Sequence, residues 1–182
     1  MTPIKLIQQA IEDAVRKDDQ SSPHKKLLTT SERNIAFHIG SALEQVISEI
    51  DEFKRYQVDV EYNRQGENDD PKKLNSKRVI PDIVIHKRGL THEDDNDANY
   101  LWIEIKMIWN FNGKRDSITN AEKKKDFHKD KHKLVLARSE KHYEHAAFLI
   151  FNRRCECFLE IDNNAEHKDA FSLLPLTQAS TP

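Results

Sequence analysis

The sequence predicts an α/β protein in which a central mixed β-sheet is flanked by helices, in the order helix, three strands, helix, two strands. Three observations predict it. Apolar residues recur at helical spacing in two N-terminal stretches. In five later stretches they alternate with polar residues or run together over the length of a strand. Polar, turn-forming spacers separate these stretches.

Each element has its own justification. Residues 3–17 carry Ile4, Ile7, Ile11 and Val15 at helical spacing, with Thr2 and Pro3 as a start signal, and residues 18–23 form a break. A second helix is expected from Thr29, because Thr29-Thr30-Ser31-Glu32 has the form of a capping box. Its stripe is Ile35, Ile39, Leu43, Val46, Ile47 and Ile50. Residues 56–62 read as a strand with Val58 and Val60 on one side, and residues 63–78, polar and holding Gly66 and Pro71, as a long turn. Strands follow at 79–86 and 100–108, separated by a loop at 87–99. In the second, Leu101, Ile103, Ile105 and Met107 alternate with Trp102, Glu104 and Lys106. A charged helix spans about 121–139, with Phe127, Leu134 and Val135 among its apolar members. Two strands come after it at 146–151 and 155–161, hinged at Asn152-Arg153-Arg154. One apolar patch, 171–174, lies in a polar tail expected to fray.

A chain of 182 residues suits a single domain, with an N-terminal helix and linker over 1–28, a core over 29–161 and a tail over 162–182. Hydrophobic residues at 37% and charged residues at 33% allow a core of moderate size with generous loops. No apolar run approaches the roughly 18 residues of a membrane span. Residues 1–20 alternate polar and apolar types, unlike a secretory signal. The expectation is no membrane and a cytoplasmic location. Cys155 and Cys157, two apart, supply neither a disulfide framework nor a zinc ligand set. Net charge of −2 and a pI near 6.5 exclude a globally basic binder but leave room for a local basic channel. The histidines scatter. His128 and His132 share a helical face without the glutamate of a His-Glu-x-x-His site, as on an exposed charged helix.

The candidate chemistry rests on Asp82, directly after Pro81 at the start of an apolar strand, and on Glu104 and Lys106 on the next. Two residues apart on a strand, Glu104 and Lys106 project from one face. If the two strands pair, Asp82 lies beside Glu104, and two carboxylates on one face repel each other unless a cation sits between them. Mg²⁺, or Mn²⁺ in its place, suits such oxygen ligands, with the Ile105 backbone carbonyl a natural further one. The chemistry expected is metal-assisted phosphodiester hydrolysis, with Lys106 orienting the attacking water and neutralising charge in the transition state. The bland alternative is a pair of charges on a solvated sheet face.

Pro81-Asp82 followed by Glu104-Ile105-Lys106, in the strand contexts 79–86 and 101–106, resembles the PD-(D/E)xK nuclease superfamily, which has the restriction-endonuclease-like fold. The resemblance covers roughly residues 32–151 and implies that fold's core order α-β-β-β-α-β. It implies Asp82 and Glu104 as metal ligands and Lys106 as the catalytic lysine. Glu32, in the first turn of the second helix, stands where relatives place an accessory metal-site glutamate, although capping and the helix dipole favour an acid there in any case. Glu61, on the first strand, reads more simply as a surface residue. The segments 58–64 and 86–89 add to the likeness to small bacterial or phage members of that group.

Residues 111–145 hold ten Lys and Arg against six Asp and Glu. That local excess makes Lys123, Lys124, Lys129 and Lys133 candidate contacts to a nucleic-acid backbone, DNA before RNA. Interleaved Asp126 and Asp130 also fit an ordinary mixed-charge helix face. Lys133 is the member best placed to approach the site. Trp102 and Trp109 read as core and rim aromatics; Trp109 and Phe111 also stand where a base would stack. The loop with Glu93, Asp94, Asp95 and Asp97 repels phosphates if it overhangs the cleft. It otherwise points away, binds a cation or meets a basic partner. A homodimer is compatible with cutting both strands of a duplex, although no heptad pattern marks an interface. The competing function is a nuclease fold without catalysis, serving as a nucleic-acid-binding or assembly module. A purely protein-binding factor is the third reading.

Overall fold

The computed structural model describes residues 1–21, 31–61, 64–65, 70–71, 73–74, 77–90, 95, 97–112, 118, 121–152, 156–162 and 172–174. The chain is an α/β protein with a mixed sheet between helical layers. Helix α1 (Pro3–Ser21) and helix α2 (Glu32–Ser48) come first, and a short 3₁₀ turn at Asp51–Phe53 leads into strand β1 (Gln57–Val60). Four two-residue strands follow, β2 (Arg64–Gln65), β3 (Asp70–Pro71), β4 (Lys73–Leu74) and β5 (Lys77–Arg78), paired β2 with β3 and β4 with β5. Then come β6 (Ile83–His86), β7 (Asn99–Met107), helix α3 (Ala121–Lys141), β8 (His145–Phe151), β9 (Cys157–Asp162) and β10 (Ser172–Leu174).

The main sheet has the order β1-β6-β7-β8-β9-β10. The β7–β8 pair is parallel, with Glu104 opposite Phe148, and α3 makes the long connection that a parallel pair requires. The remaining pairs are antiparallel. Side-chain alternation sorts the residues between two cores. Ile83, Ile85, Leu101, Ile103, Ile105, Leu149 and Leu159 are buried with α1 and α2. Val84, Trp102, Phe148, Ile150 and Phe158 are buried with Phe127, Leu134 and Ala137 of α3. Glu104 and Lys106 share the parity of Trp102 and so face α3. Helix α2 lies so close to β1 that a Cβ at Gly40 would collide with the Val60 side chain, which accounts for a glycine inside a helix.

Several boundaries differ from the sequence reading. Helix α1 runs on through Ser21, into the expected break at 18–23. The cap of α2 is Ser31, whose hydroxyl accepts from Asn34 N–H at 3.3 Å. Glu32 is therefore the first helical residue, which frees its carboxylate to act elsewhere. Thr29 lies outside the described residues. The expected long turn at 63–78 contains the β2–β3 and β4–β5 ladders. Strand β6 starts only at Ile83, because Pro81 has no N–H to give a ladder and the strand forms after it. The patch expected in the tail supplies β10, which pairs with β9 at the sheet edge. Among the described residues, no helix is long and apolar enough to cross a membrane.

Candidate functional site

The site forms where β6 stops and β7 does not. Ile83 pairs with Ile103 as the last pair of the ladder, and the next residues on the two sides are Asp82 and Glu104. Beyond that point, among the described residues, β7 has no strand on its β6 side, and its N–H groups there need other acceptors. Asp82 Oδ2 accepts Ile105 N–H at 2.6 Å, and Glu32 Oε1 accepts Met107 N–H at 2.8 Å. Two carboxylates thus stand in for the missing strand. An extended residue directs its N–H and C=O to the same edge, so the Ile105 carbonyl faces this carboxylate-lined edge as well. Glu32 reaches it from the first turn of α2, which packs on the opposite face of the sheet from α3.

On the α3 side, Glu104 is 2% exposed. Its Oε1 accepts from Trp102 Nε1 at 2.8 Å and its Oε2 pairs with Lys133 Nζ at 2.8 Å. Lys133 Nζ also pairs with Asp130 Oδ1 at 2.8 Å, and the other oxygen of Asp130 pairs with Lys106 Nζ at 2.8 Å. Lys106 Nζ then lies 3.6 Å from Glu32 Oε2. The result is one chain of alternating charge, Glu104–Lys133–Asp130–Lys106–Glu32, with Asp82 beside its first member.

Electrostatics separates these acids. Burial, and then the charge of Asp82, push Glu104 up from 4.5 to about 8, and Lys133 only partly offsets them. Burial likewise lifts Asp82 from 3.8 to about 6 against the Ile105 N–H and Lys133, with Asp130 and Glu32 adding to the rise. Asp130 goes the other way: burial opposes its charge, but hydrogen bonds from Lys106 and Lys133 hold it below the usual carboxylate range. Burial would lower both lysines, yet both are raised, Lys106 chiefly by Asp130 and Lys133 chiefly by Glu104. Both ammonium groups are therefore firmly protonated near neutral pH.

Asp82, Glu104, Lys106 and Glu32, chosen from the sequence, come together, and Ile105 contributes its N–H to the same edge. Lys133 turns inward to Glu104 and so departs from the outer face of α3, where Lys124 and Lys129 are exposed. The side chain of Lys123 lies outside the described residues. The Glu61 side chain pairs with Arg33 at 2.6 Å, and its N–H donates to the Asp82 carbonyl at 3.0 Å. Trp109 is 51% exposed, whereas Phe111 is buried in the core against Phe158. Sequence reasoning missed Asp130, although a signal existed. Phe127, Asp130, Leu134 and Ala137 form one i, i+3, i+7, i+10 stripe, so an acid occupied a core-facing position.

The acidic loop leaves the far end of β6 and returns into the start of β7, four residues of strand away from Asp82. There Asp95 pairs with Lys87 at 2.8 Å and with Arg55 at 3.6 Å. Glu93 and Asp94 lie outside the described residues. Among the described residues, no three His, Cys, Asp or Glu side chains are grouped by themselves as for a metal ion; the acids here are interleaved with ammonium groups. The fold and site together define an α/β protein with an acid-rich, lysine-bridged centre at the C-terminal end of a sheet strand. No family model, curated protein or solved structure matches the chain.

Proposed function

We propose that this chain is a Mg²⁺- or Mn²⁺-dependent nuclease of the PD-(D/E)xK type, with a restriction-endonuclease-like core, hydrolysing phosphodiester bonds in DNA. The observation that carries the reading is the placing of Asp82 and Glu104 just beyond the Ile83–Ile103 pair, with Asp82 bonded to Ile105 N–H and Lys106 on the face of Glu104. The donor set fits a hard divalent cation. The carboxylates and the Ile105 carbonyl are all oxygen donors. Among the described residues the cluster joins four carboxylates (Glu32, Asp82, Glu104, Asp130) to two ammonium groups (Lys106, Lys133). Fully ionised, it keeps two negative charges that a divalent ion would balance. Burial is the main cause of the upward shifts of Asp82 and Glu104, and the neighbouring acids add to both.

In this reading Asp82, Glu104 and the Ile105 carbonyl hold the ion, and Glu32 stands by as a further acid. The ion, when bound, acts as Lewis acid on a phosphoryl oxygen and acidifies a water. Lys106, kept protonated by Asp130, orients the attacking water and offsets charge on the phosphoryl oxygens rather than abstracting a proton. Lys133 holds Glu104 in one rotamer. The exposed Lys124 and Lys129 on α3 offer contacts to the phosphate backbone.

The test is incubation of the protein with plasmid, linear duplex and single-stranded DNA, with Mg²⁺ or Mn²⁺. Metal-dependent cleavage abolished by Asp82→Ala is expected, and cleavage that survives that substitution unchanged would sink the assignment. The ion pairing of Lys106 and Lys133 within the cluster favours a second reading, a non-catalytic nucleic-acid-binding or assembly module. Salt-sensitive DNA binding, with no heat of Mn²⁺ binding in calorimetry, would select it.

A further inference from the structure

The strand register fixes only where Lys106 starts. Its side chain has several rotatable bonds, and its ammonium group can sweep through several ångströms unless something holds it. A helical i, i+3 acid–base pair such as Asp130 and Lys133 is ordinarily a solvated surface feature of small consequence. Here the acid is 7% exposed, on the core-facing stripe of α3 between Phe127 and Leu134. Each of its two oxygens takes a different ammonium group at 2.8 Å, one from its own helix and one from β7. A carboxylate used in this way is a fixed two-pronged bracket. Both lysines are tied to one rigid point, and through Lys133 that point is tied to Glu104 at 2.8 Å.

We propose that Asp130 is the positioning residue of the centre: it sets Lys106 Nζ relative to Glu104 and Asp82, and so assigns the two lysines different tasks. Lys133 is spent on Glu104, while Lys106 is presented to substrate. Asp130 itself touches neither substrate nor ion. The inference rests on the nuclease reading for its consequence on rate, but the bracket can be tested without it.

Two experiments on the full chain separate these levels. The first needs no activity: reductive methylation of the metal-free protein, with each lysine followed by mass spectrometry. Lys106 should react at least about 10-fold more slowly than the exposed Lys124, and Asp130→Asn should remove most of that protection. Equal reactivity of Lys106 and Lys124 in the wild-type protein overturns the bracket, and so does protection that persists in a folded Asp130→Asn. The wild-type comparison stands whether or not any variant folds.

The second experiment measures cleavage. Asp130→Asn should lower kcat by about 10²-fold with little change in KM, since a misplaced group costs rate rather than binding. Asp130→Asn combined with Lys106→Ala should be no slower than Lys106→Ala alone, because a residue that acts through another loses its effect once that other is gone. Losses that multiply overturn the positioning role, as does wild-type kcat in folded Asp130→Asn. Asp130→Glu keeps the charge but lengthens the arm, and should lower kcat by about 10-fold; wild-type kcat in it also counts against the proposal. If the wild-type protein cuts no DNA with either metal, the nuclease reading fails, and methylation alone decides the bracket.

Discussion

Asp59 and Glu104 are both buried acids on the α3-facing side of one sheet, on β1 and β7 with β6 between them, and their surroundings are opposite. Asp59 meets two basic side chains: His86 Nε2 lies 2.8 Å from its Oδ2, and the Arg88 guanidinium embraces both oxygens. Its carboxyl is held below the ordinary value, since burial is outweighed by the bonds from His86 and then Arg88. Glu104 has one ammonium partner and two acids nearby, Asp82 and Asp130, and is pushed up to about 8 by burial and then by Asp82. The first arrangement closes on itself and holds β1 to β6. The second carries unrelieved repulsion that packing alone would not select. A buried polar group whose partners satisfy it is architecture, whereas one whose partners oppose it points to a ligand that is charged the other way.

The largest effect is expected from substitution at the second cluster. Asp82→Ala or Glu104→Gln should lower metal-dependent DNA cleavage by on the order of 10³-fold while the melting transition persists, because each removes an oxygen donor where charge is concentrated. Initial rates and a thermal melt on the same preparation check it. At the first cluster the expectation reverses. Asp59→Ala leaves His86 buried without its acid, and should cost about 3 kcal/mol of stability in a urea titration. Cleavage per folded molecule should be unchanged. If Asp59→Ala abolishes cleavage in a fully folded protein, the division into architecture and site is wrong.

The pH dependence of stability should separate the two clusters by sign. Glu104 binds its proton more tightly when folded, with about 8 against an ordinary 4.5, and Asp82 does so with about 6 against 3.8. Their contribution is fully present at acid pH and is lost as pH rises through the folded values. Asp59 is lowered from 3.8, so its contribution is present at neutral pH and is lost only as pH falls below that value. With a chelator present, the melting temperature should therefore fall by about 5 °C as pH is raised from mildly acid to mildly alkaline. Added Mn²⁺ should reverse most of that fall, and Glu104→Gln should flatten it. A melting temperature that rises over this range without metal would contradict the repulsion assigned to Asp82 and Glu104.

The same contrast explains what could be read from the sequence. Asp82, Glu104 and Lys106 were legible because Asp82 opens an apolar strand and the other two interrupt one, where a charge has no packing reason to be, and because strand parity puts Glu104 and Lys106 on one face. The layers were legible because the 3.6 periodicity is strong in α2, apolar and polar residues alternate in β7, and β8 is an apolar run of strand length. Asp130 was hidden by composition: in a helix as charged as α3, one inward acid looks like the exposed Asp126 beside it. The reach of Glu32 to Met107 N–H depends on β7 outrunning β6, a property of strand lengths that local pattern does not encode. The place of the acidic loop needed the antiparallel pairing of β6 and β7, which puts Asp95 and Asp82 at opposite ends. Strand β10 escaped because three residues in a polar tail carry too little periodicity to distinguish from a patch.

The smallest expected effect concerns the outer face of α3, where no carboxylate centre is at stake. Lys124 and Lys129 are exposed, five residues apart on the half of α3 that begins near the C-terminal end of β7, whereas Lys133 is used inside. If duplex DNA lies across this face, each lysine displaces condensed counterions and contributes about 0.9 to the slope of log affinity against log salt. Lys124→Gln with Lys129→Gln should then lower that slope by about 2, and weaken binding several-fold at low salt. Fluorescence anisotropy of a labelled duplex, with Ca²⁺ in place of Mg²⁺ and a series of KCl concentrations, measures both. A slope that does not change would mean that the phosphates approach from elsewhere. The exposed Trp109, two residues past the Met107 whose N–H Glu32 accepts, would then be the residue to substitute next. The centre's charge would then be separated from that of the helix covering it.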